Sequence, residues 1–258
     1  MARNMKKNSE DQFIENLRQA LRNPLSESQR MADLFEEDIP DEAINLRKKI
    51  KKRSVEDQTA LVKQLIEKAK TLNLKVIPLK DPQSVGLEIC TLVRGKTPEW
   101  GKQKSLIVWV HPLIEKLNLA KRLAPQDISV YASTSSINPW EKIKLRNQTA
   151  ASFIGVTSAD YCVADSATVV MKTRPGHARA VSLLPGIHIV VIKQEQIIEN
   201  LKELYTLLKW DPTEKQEGLT NCLTFITGPS KTADIEATLI HGAHGPREVY
   251  IYVITGPS

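Results

Sequence analysis

Apolar residues recur along this chain in two alternating rhythms, a helical spacing of three and four and short runs of the kind that strands bury. Ser54-Val55-Glu56-Asp57 starts a helix with Leu61, Val62, Leu65, Ile66, Ala69 and Leu72 on one face, and Asn73 stops it. Leu74 to Pro78 follows as a strand, Pro82 to Val93 as a helix, and Ser105 to Val110 as a strand, with His111-Pro112 opening a further helix. Ile128 to Tyr131 is a short strand and residues 139 to 152 a helix. Tyr161 to Ala164 and Thr168 to Met171 are strands joined through Asp165-Ser166-Ala167, and His188 to Ile192 is a buried strand. Gln196 to Leu208 has the stripe of an amphipathic helix, and Lys209 to Asn221 reads as a polar loop. Leu223 to Ile226 is a buried strand stopped by Gly228-Pro229. Thr232 then suits a helix N-cap, with Asp234 and Glu236 in the first turn and Ile235, Leu239 and Ile240 as the stripe, before a last strand, Val249 to Ile254. Strand and helix alternating at this spacing predict an α/β fold, a mostly parallel sheet flanked by helices.

The first fifty residues follow a different pattern. Ser9-Glu10-Asp11-Gln12 fits a capping box before Phe13, Ile14, Leu17, Ala20 and Leu21, and Asn23-Pro24 ends that helix. An acidic stretch with Asp33, Glu36, Glu37, Asp38, Asp41 and Glu42 precedes a basic run, Arg47 to Arg53. That run reads as the solvated, cation-favouring end of a helix, the alternative being contact with phosphates or an anionic membrane surface. Residues 1–53 are therefore expected to form an N-terminal helical arm that packs on a partner or a second copy, ahead of an α/β domain over 54–258.

With 258 residues, 41% of them hydrophobic, the chain has material for one large or two small cores. The formal charge of +6 favours acidic or phosphorylated partners only weakly, and no basic stripe interleaved with aromatics suggests nucleic acid. No apolar run approaches the ~20 residues of a membrane span. The polar start lacks the apolar core of a signal peptide, so a cytoplasmic location is expected. Cys90, Cys162 and Cys222 are scattered and form no C-x-x-C, which supports neither a zinc ribbon nor a disulfide framework. A cubane iron–sulfur cluster usually takes about four thiolates. The chain is expected to carry no cofactor of its own. No G-x-G-x-x-G, phosphate loop or G-x-S-x-G elbow is present.

Candidate chemistry collects near the end. Gly228, Ser230, Lys231 and Thr232 would offer amides and side-chain donors at a helix N-terminus, an anion receptor for phosphate or carboxylate; the alternative is a turn with a cap. Asp165 and Asp234 are the candidate catalytic carboxylates, Asp165 because an acid between two strands can be aimed into a cleft, the alternative being a turn-forming aspartate. Arg179 and Arg247 suit a substrate carboxylate, or else surface ion pairs. His241 and His244 form H-x-x-H, and Asp234 or Glu236 could complete a zinc site, although cap and turn hydrogen bonds are the better reading and no metal is expected. His188 reads as a core or cleft histidine and His177 as a loop residue.

Ile226 to Glu236 followed by His241 to Glu248 resembles the C-terminal signature of the lactate-utilization (LUD) domain family, lactate utilization protein C. Gly155 to Asp160, Ala164 to Thr168, Arg179, Ser182 to Pro185 and His188-Ile189 resemble it as well, so the likeness covers roughly the C-terminal hundred residues. Where the family reads Glu-Thr-Gly, this chain has Asp165-Ser166-Ala167, a carboxylate one methylene shorter and an alanine in place of a residue free to take positive φ. The resemblance implies the fold shared by sugar-phosphate isomerases and coenzyme A transferases, and a role in oxidising L-lactate to pyruvate beside two partner proteins that carry iron–sulfur clusters. The cysteine count fits the cluster-free member. The chain is thus expected to bind a small carboxylate or phosphate-bearing ligand through residues 227 to 234, with His244 and Arg247. Two other classes stay open: a stand-alone enzyme acting on an acyl-thioester, sugar phosphate or folate-like ligand, and a non-catalytic assembly protein docking through residues 9 to 53.

Overall fold

The computed structural model describes residues 38–98, 103–135, 138–217, 220, 222–233, 239–241 and 245–256. The helix expected over residues 9 to 23 lies outside them. In chain order come α1 (Asp41–Lys51), α2 (Val55–Thr71), β1 (Lys75–Leu79), α3 (Pro82–Gly95), β2 (Ser105–Val108), α4 (Pro112–Glu115), α5 (Leu119–Leu123) and β3 (Ser129–Ala132). Then follow α6 (Pro139–Ala151), β4 (Ile154–Thr157), β5 (Tyr161–Val163), β6 (Thr168–Lys172), α7 (Ala180–Leu183), β7 (Ile187–Lys193) and β8 (Ile197–Ile198). The chain continues through α8 (Leu201–Trp210), α9 (Pro212–Glu217), β9 (Leu223–Ile226), β10 (Lys231–Ala233), β11 (Leu239–His241) and β12 (Glu248–Ile254).

Local chemistry fixes most of these boundaries. The Ser54 hydroxyl accepts from the Asp57 amide and the Asp57 carboxylate accepts from the Ser54 amide, both at 3.1 Å, closing a reciprocal cap on α2. Asn73 ends that helix at φ 59°, a left-handed position that asparagine tolerates better than most residues. The side-chain oxygens of Asp81, Asn138 and Asn200 each accept one amide in the first turn of α3, α6 and α8.

Six strands form one parallel sheet in the order β1-β12-β7-β4-β2-β3. Its central strands are buried on both faces, so their side chains alternate between two cores. Ile189 and Val191 face α3 and the α4–α5 segment through Val85, Ile89, Leu117 and Leu123. Val190 and Ile192 face the other way, onto α2 (Leu61, Leu65, Ala69) and a second sheet. That sheet has the order β8-β5-β6-β9, and its inner residues Cys162, Val169 and Met171 belong to the same core. Its outer residues Val163, Val170 and Ile198 are covered by Leu204 and Leu207 of α8, with Ile50 of α1 packed alongside.

The α/β class is as expected, with several corrections. Ile197–Ile198 is a strand paired with β5, so the helix begins at Leu201 behind its Asn200 cap and not at Gln196. The segment read as loop contains α9, opened by Pro212. Lys231–Ala233 is a strand paired antiparallel with Leu239–His241, so no helix starts at Thr232. The basic run is not simply solvated, because Arg53 donates to both carboxylate oxygens of buried Glu203 at 2.5 and 2.6 Å. Lys51 and Arg47 lie 3.2 and 3.8 Å from Asp211.

Candidate functional site

The signature residues gather at the amino edge of the parallel sheet. Ser230 donates its amide to Pro246 O at 2.8 Å, and Arg247 donates its amide to Gly186 O at 2.8 Å, so both halves of the signature meet beside the starts of β7 and β12. Gly228 adopts φ 90°, and a Cβ there would lie 3.1 Å from Leu72 O at the end of α2. The positive φ favours glycine, and a Cβ would crowd the Leu72 carbonyl. The register Val169↔Ile226 carries β6 and β9 toward the same edge, where the Thr168 and Thr227 hydroxyls are 2.8 Å apart. Asp165-Ser166-Ala167 is thereby placed beside Thr227-Gly228. Asp165 is exposed in its turn, and its amide donates to Glu199 O. Ala167 adopts φ 47°, a left-handed conformation that glycine takes without strain.

The anion receptor expected from a helix N-terminus has lost its helix. Lys231 and Thr232 pair through their backbones with His241 and Ile240, and the Ser230 amide is consumed by Pro246. Asp234, Glu236 and His244 lie outside the described residues. Arg179 is not brought to this edge: its Nη1 is 3.4 Å from Cys222 Sγ, beyond the Lys172↔Leu223 end of the β6–β9 pair.

Arg247 does line a cavity of about 640 Å³ at the amino edge, with Lys96, Gln103, Ser105, Asn147 and Phe153 among its other walls. This is the size range of small-molecule sites, apolar surface with a few polar groups. Its floor is charged. Lys96 Nζ donates to both oxygens of Glu248 at 2.5 and 2.7 Å, and the Tyr250 hydroxyl donates to the same carboxylate at 2.6 Å. Burial alone would raise the Glu248 carboxyl, yet hydrogen bonds from Lys96 and Tyr250 hold it below the usual range. Burial, followed by the Glu248 carboxylate, pushes Tyr250 up to about 12.

A second polar centre lies at the opposite, carboxyl end. β2 and β4 are neighbours whose connections leave in opposite directions, β2 to β3 and β4 to β7, which makes their carboxyl ends the switch point where open α/β sheets form a crevice. His111 and Asp160 each stand three residues past those strands. Trp109 stacks on His177 at 4.4 Å with rings 2° from parallel, and His111 is 5.5 Å from His177. Asp160 accepts from the Lys172 amide at 2.6 Å and from Arg174 Nη1 at 2.5 Å, while Arg174 Nη2 donates to Glu217. Burial, then the neighbouring His177, lowers the His111 pKa. Burial, then Arg174, lowers that of His177. Both imidazoles are therefore neutral near pH 7, and the His177 Nδ1, Ser158 Oγ and Thr173 Oγ1 atoms are buried without a hydrogen-bond partner among the described residues. Among the described residues no three metal-ligating side chains converge.

Sequence reasoning passed over Trp109, His111, Asp160 and Arg174 as site residues. The readable signal was position, since polar side chains a few residues past the carboxyl ends of adjacent parallel strands face the switch point.

The family model described as the LUD domain matches residues 54–254. Lactate utilization protein C of Halalkalibacterium halodurans is 34% identical over 151 residues, 58% of this chain and 63% of that protein. The protein of the same name from an Exiguobacterium species is 38% identical over 151 residues, 55% of this chain and 64% of that protein. Lactate utilization protein C 1 of Bacillus mycoides is 30% identical over 184 residues, 65% of this chain and 76% of that protein. The chain thus spans under two thirds of the length of the first two relatives. A crystal structure of a DUF162 family protein from Deinococcus radiodurans superposes with a TM-score of 0.51 at 17% identity, over 76% of this chain and 98% of that one, and shares the fold.

Proposed function

We propose, because this chain belongs to the LUD-domain family, that it takes part in lactate utilization as the cluster-free subunit of a system that oxidises L-lactate to pyruvate. Its relatives carry the name lactate utilization protein C, and their similarity is the ground for the pathway. Electrons leaving lactate would pass to iron–sulfur clusters on partner proteins, for this chain has three cysteines, too few for the usual thiolate set. Burial holds the Cys90 thiol above its ordinary value and pushes Cys162 up to about 12, so neither is readily a thiolate ligand.

The observation that carries the ligand reading is the position of Arg247, a signature residue, in the wall of the 640 Å³ cavity. A guanidinium beside an Nζ ammonium and amide side chains suits a small carboxylate, with Phe153 and Ile187 against its apolar part. The test is reconstitution of lactate-dependent dye reduction from the iron–sulfur proteins with and without this chain. Arg247→Ala is expected to lower the rate at least tenfold, with partial recovery in Arg247→Lys, which keeps the charge and loses the fork. Full activity of the partners without this chain rejects the proposal.

The switch-point centre favours a second reading, a stand-alone enzyme using the neutral His111–His177 pair in proton transfer. Turnover of an acyl-thioester, sugar phosphate or folate-like compound by the isolated chain, abolished by His177→Gln and unaffected by Arg247→Ala, would establish that reading over the first.

A further inference from the structure

α6 is poorly covered for a helix of its length. Of its 13 residues only Thr149 is buried, with Leu145 packed part-way against the core. Its outer face, at spacings of three and four, consists of Trp140, Ile143, Asn147 and Ala150. Trp140 is 79% exposed and Ile143 51% exposed. A tryptophan and an isoleucine one turn apart in water form the kind of apolar anchor that a partner buries. The same helix helps wall the cavity that holds Arg247, through Asn147, Gln148, Ala150 and Ala151, and Leu184, 53% exposed, lines the same cavity. The apolar stripe thus runs from Trp140 to the cavity mouth. Lys142, Lys144 and Arg146, all exposed, flank it against one carboxylate, Glu141.

We infer that the outer face of α6 is the docking surface for a partner protein with an acidic rim around an apolar groove, and that docking covers the mouth of the Arg247 cavity. The cations choose the rim, because like charges across an interface are excluded and opposite ones steer the encounter. Trp140 and Ile143 fill the groove. A protein is favoured over an anionic bilayer because the stripe ends in a polar cavity mouth, where acyl chains would desolvate the Asn147 amide. A second copy of this chain would bring cations against cations. The inference rests on the preceding reading, in that the partner is one of the iron–sulfur proteins.

The experiment titrates the full chain into each purified iron–sulfur protein by calorimetry, with sedimentation velocity as a second readout. Ile143→Glu and the pair Lys144→Glu with Arg146→Glu are expected to weaken binding at least tenfold, while Val55→Glu, an exposed position on α2, binds as the wild type does. Raising salt from about 50 to about 500 mM should weaken wild-type binding and leave the charge-reversed variant little changed. Urea unfolding of each variant at the wild-type midpoint shows that the fold is intact. Wild-type binding that survives the α6 substitutions overturns the docking face and leaves the lactate reading standing. No binding of the wild-type chain to either protein removes the partner reading and the docking face with it. Self-association abolished by Ile143→Glu, or binding to phosphatidylserine vesicles in place of protein, overturns the choice of occupant.

Discussion

Arg53→Ala tests whether the brace between α1 and α8 is a buried ion pair or a surface ornament. The Arg53 side chain is 8% exposed and that of Glu203 2%, and the guanidinium meets the carboxylate through two hydrogen bonds. Glu203 also accepts from the Glu199 amide at 2.7 Å, so the carboxylate is fixed. Removing the arginine leaves a desolvated carboxylate with no cation, which costs about 3–5 kcal/mol, about a fifth or more of a typical domain's stability. With a urea slope of ~2 kcal/mol/M, the midpoint falls by roughly 1.5–2.5 M. The same two helices supply the control. Lys202 and Glu42 also pair, but both side chains are largely exposed, and Lys202→Ala is expected to cost less than about 0.5 kcal/mol. Replacing both buried partners, Arg53→Met with Glu203→Leu, should recover all but about 1 kcal/mol, the shortfall being the Glu199 amide left without its acceptor. Circular dichroism against urea at pH 7 measures the wild type and all three variants. An Arg53→Ala cost below about 1 kcal/mol would show that water screens the pair and refute the argument. The result also decides how the N-terminal arm is tested. A truncation ending at residue 53 removes the partners of Glu203 and Asp211, whereas one ending before Asp41 leaves them in place and reads docking alone.

Gly155→Ala should destabilise by about 3 kcal/mol or more despite the usual slight gain of alanine over glycine in a strand, because its Cβ would stand 1.8 Å from Val181 O; a near-neutral urea midpoint contradicts this. His188 is wholly buried, with its Nε2 2.9 Å from the Thr157 hydroxyl, and burial pushes its pKa to about 3. Its unfolded counterpart, near ~6.5, binds the proton first, so stability is lost as pH falls below ~6.5, by up to about 1.4 kcal/mol per pH unit. Urea midpoints at pH 7.5, 6 and 5 should show that slope and its reduction in His188→Gln. Ala167→Gly should fall within about 1 kcal/mol of wild type, relief of the left-handed alanine being offset by loss of a buried methyl and a freer unfolded chain, whereas Ala167→Val should cost at least about 2 kcal/mol; equal midpoints for the two would contradict the assigned backbone conformation.

The parallel sheet was legible because its strands are short apolar runs separated by capped amphipathic helices, and caps such as Ser54 and Asn73 are written in single residues. Which sheet a strand joins was not. Thr168–Lys172 and Ile187–Lys193 are both buried runs, yet one pairs antiparallel outside the main sheet and the other lies at its centre. The helix read at Thr232 failed because Ile235, Leu239 and Ile240 satisfy a helical spacing while Leu239-Ile240 satisfies a strand equally well, and pairing with Lys231–Ala233 decides between them. Ile197–Ile198 was absorbed into the α8 stripe because two residues are too few to show a period of their own. At the site, motif likeness found Ser230, Gly228 and Arg247, whereas His111 and Asp160 needed the strand order, which no single segment encodes.

The two polar centres differ in charge, and the difference follows from the second sheet. In an open α/β fold the carboxyl ends of the strands are the default site. Here β6 crosses the face of the parallel sheet, with the turn Asp165–Ala167 at its start and Lys172 at its end. Lys172 is buried and held by Glu214 at 2.5 Å and Glu217 at 2.8 Å, and Arg174 by Glu217 and Asp160, so three carboxylates face two cations at the carboxyl end, beside the neutral histidines. At the amino edge Lys75 and Lys96 converge on the single carboxylate of Glu248, two cations to one anion. Four strand steps, ~13 Å, separate the ends of β6. Asp165 and Arg174 therefore cannot touch one small ligand, and a substitution at either that alters binding at the other end must act through the strand between them.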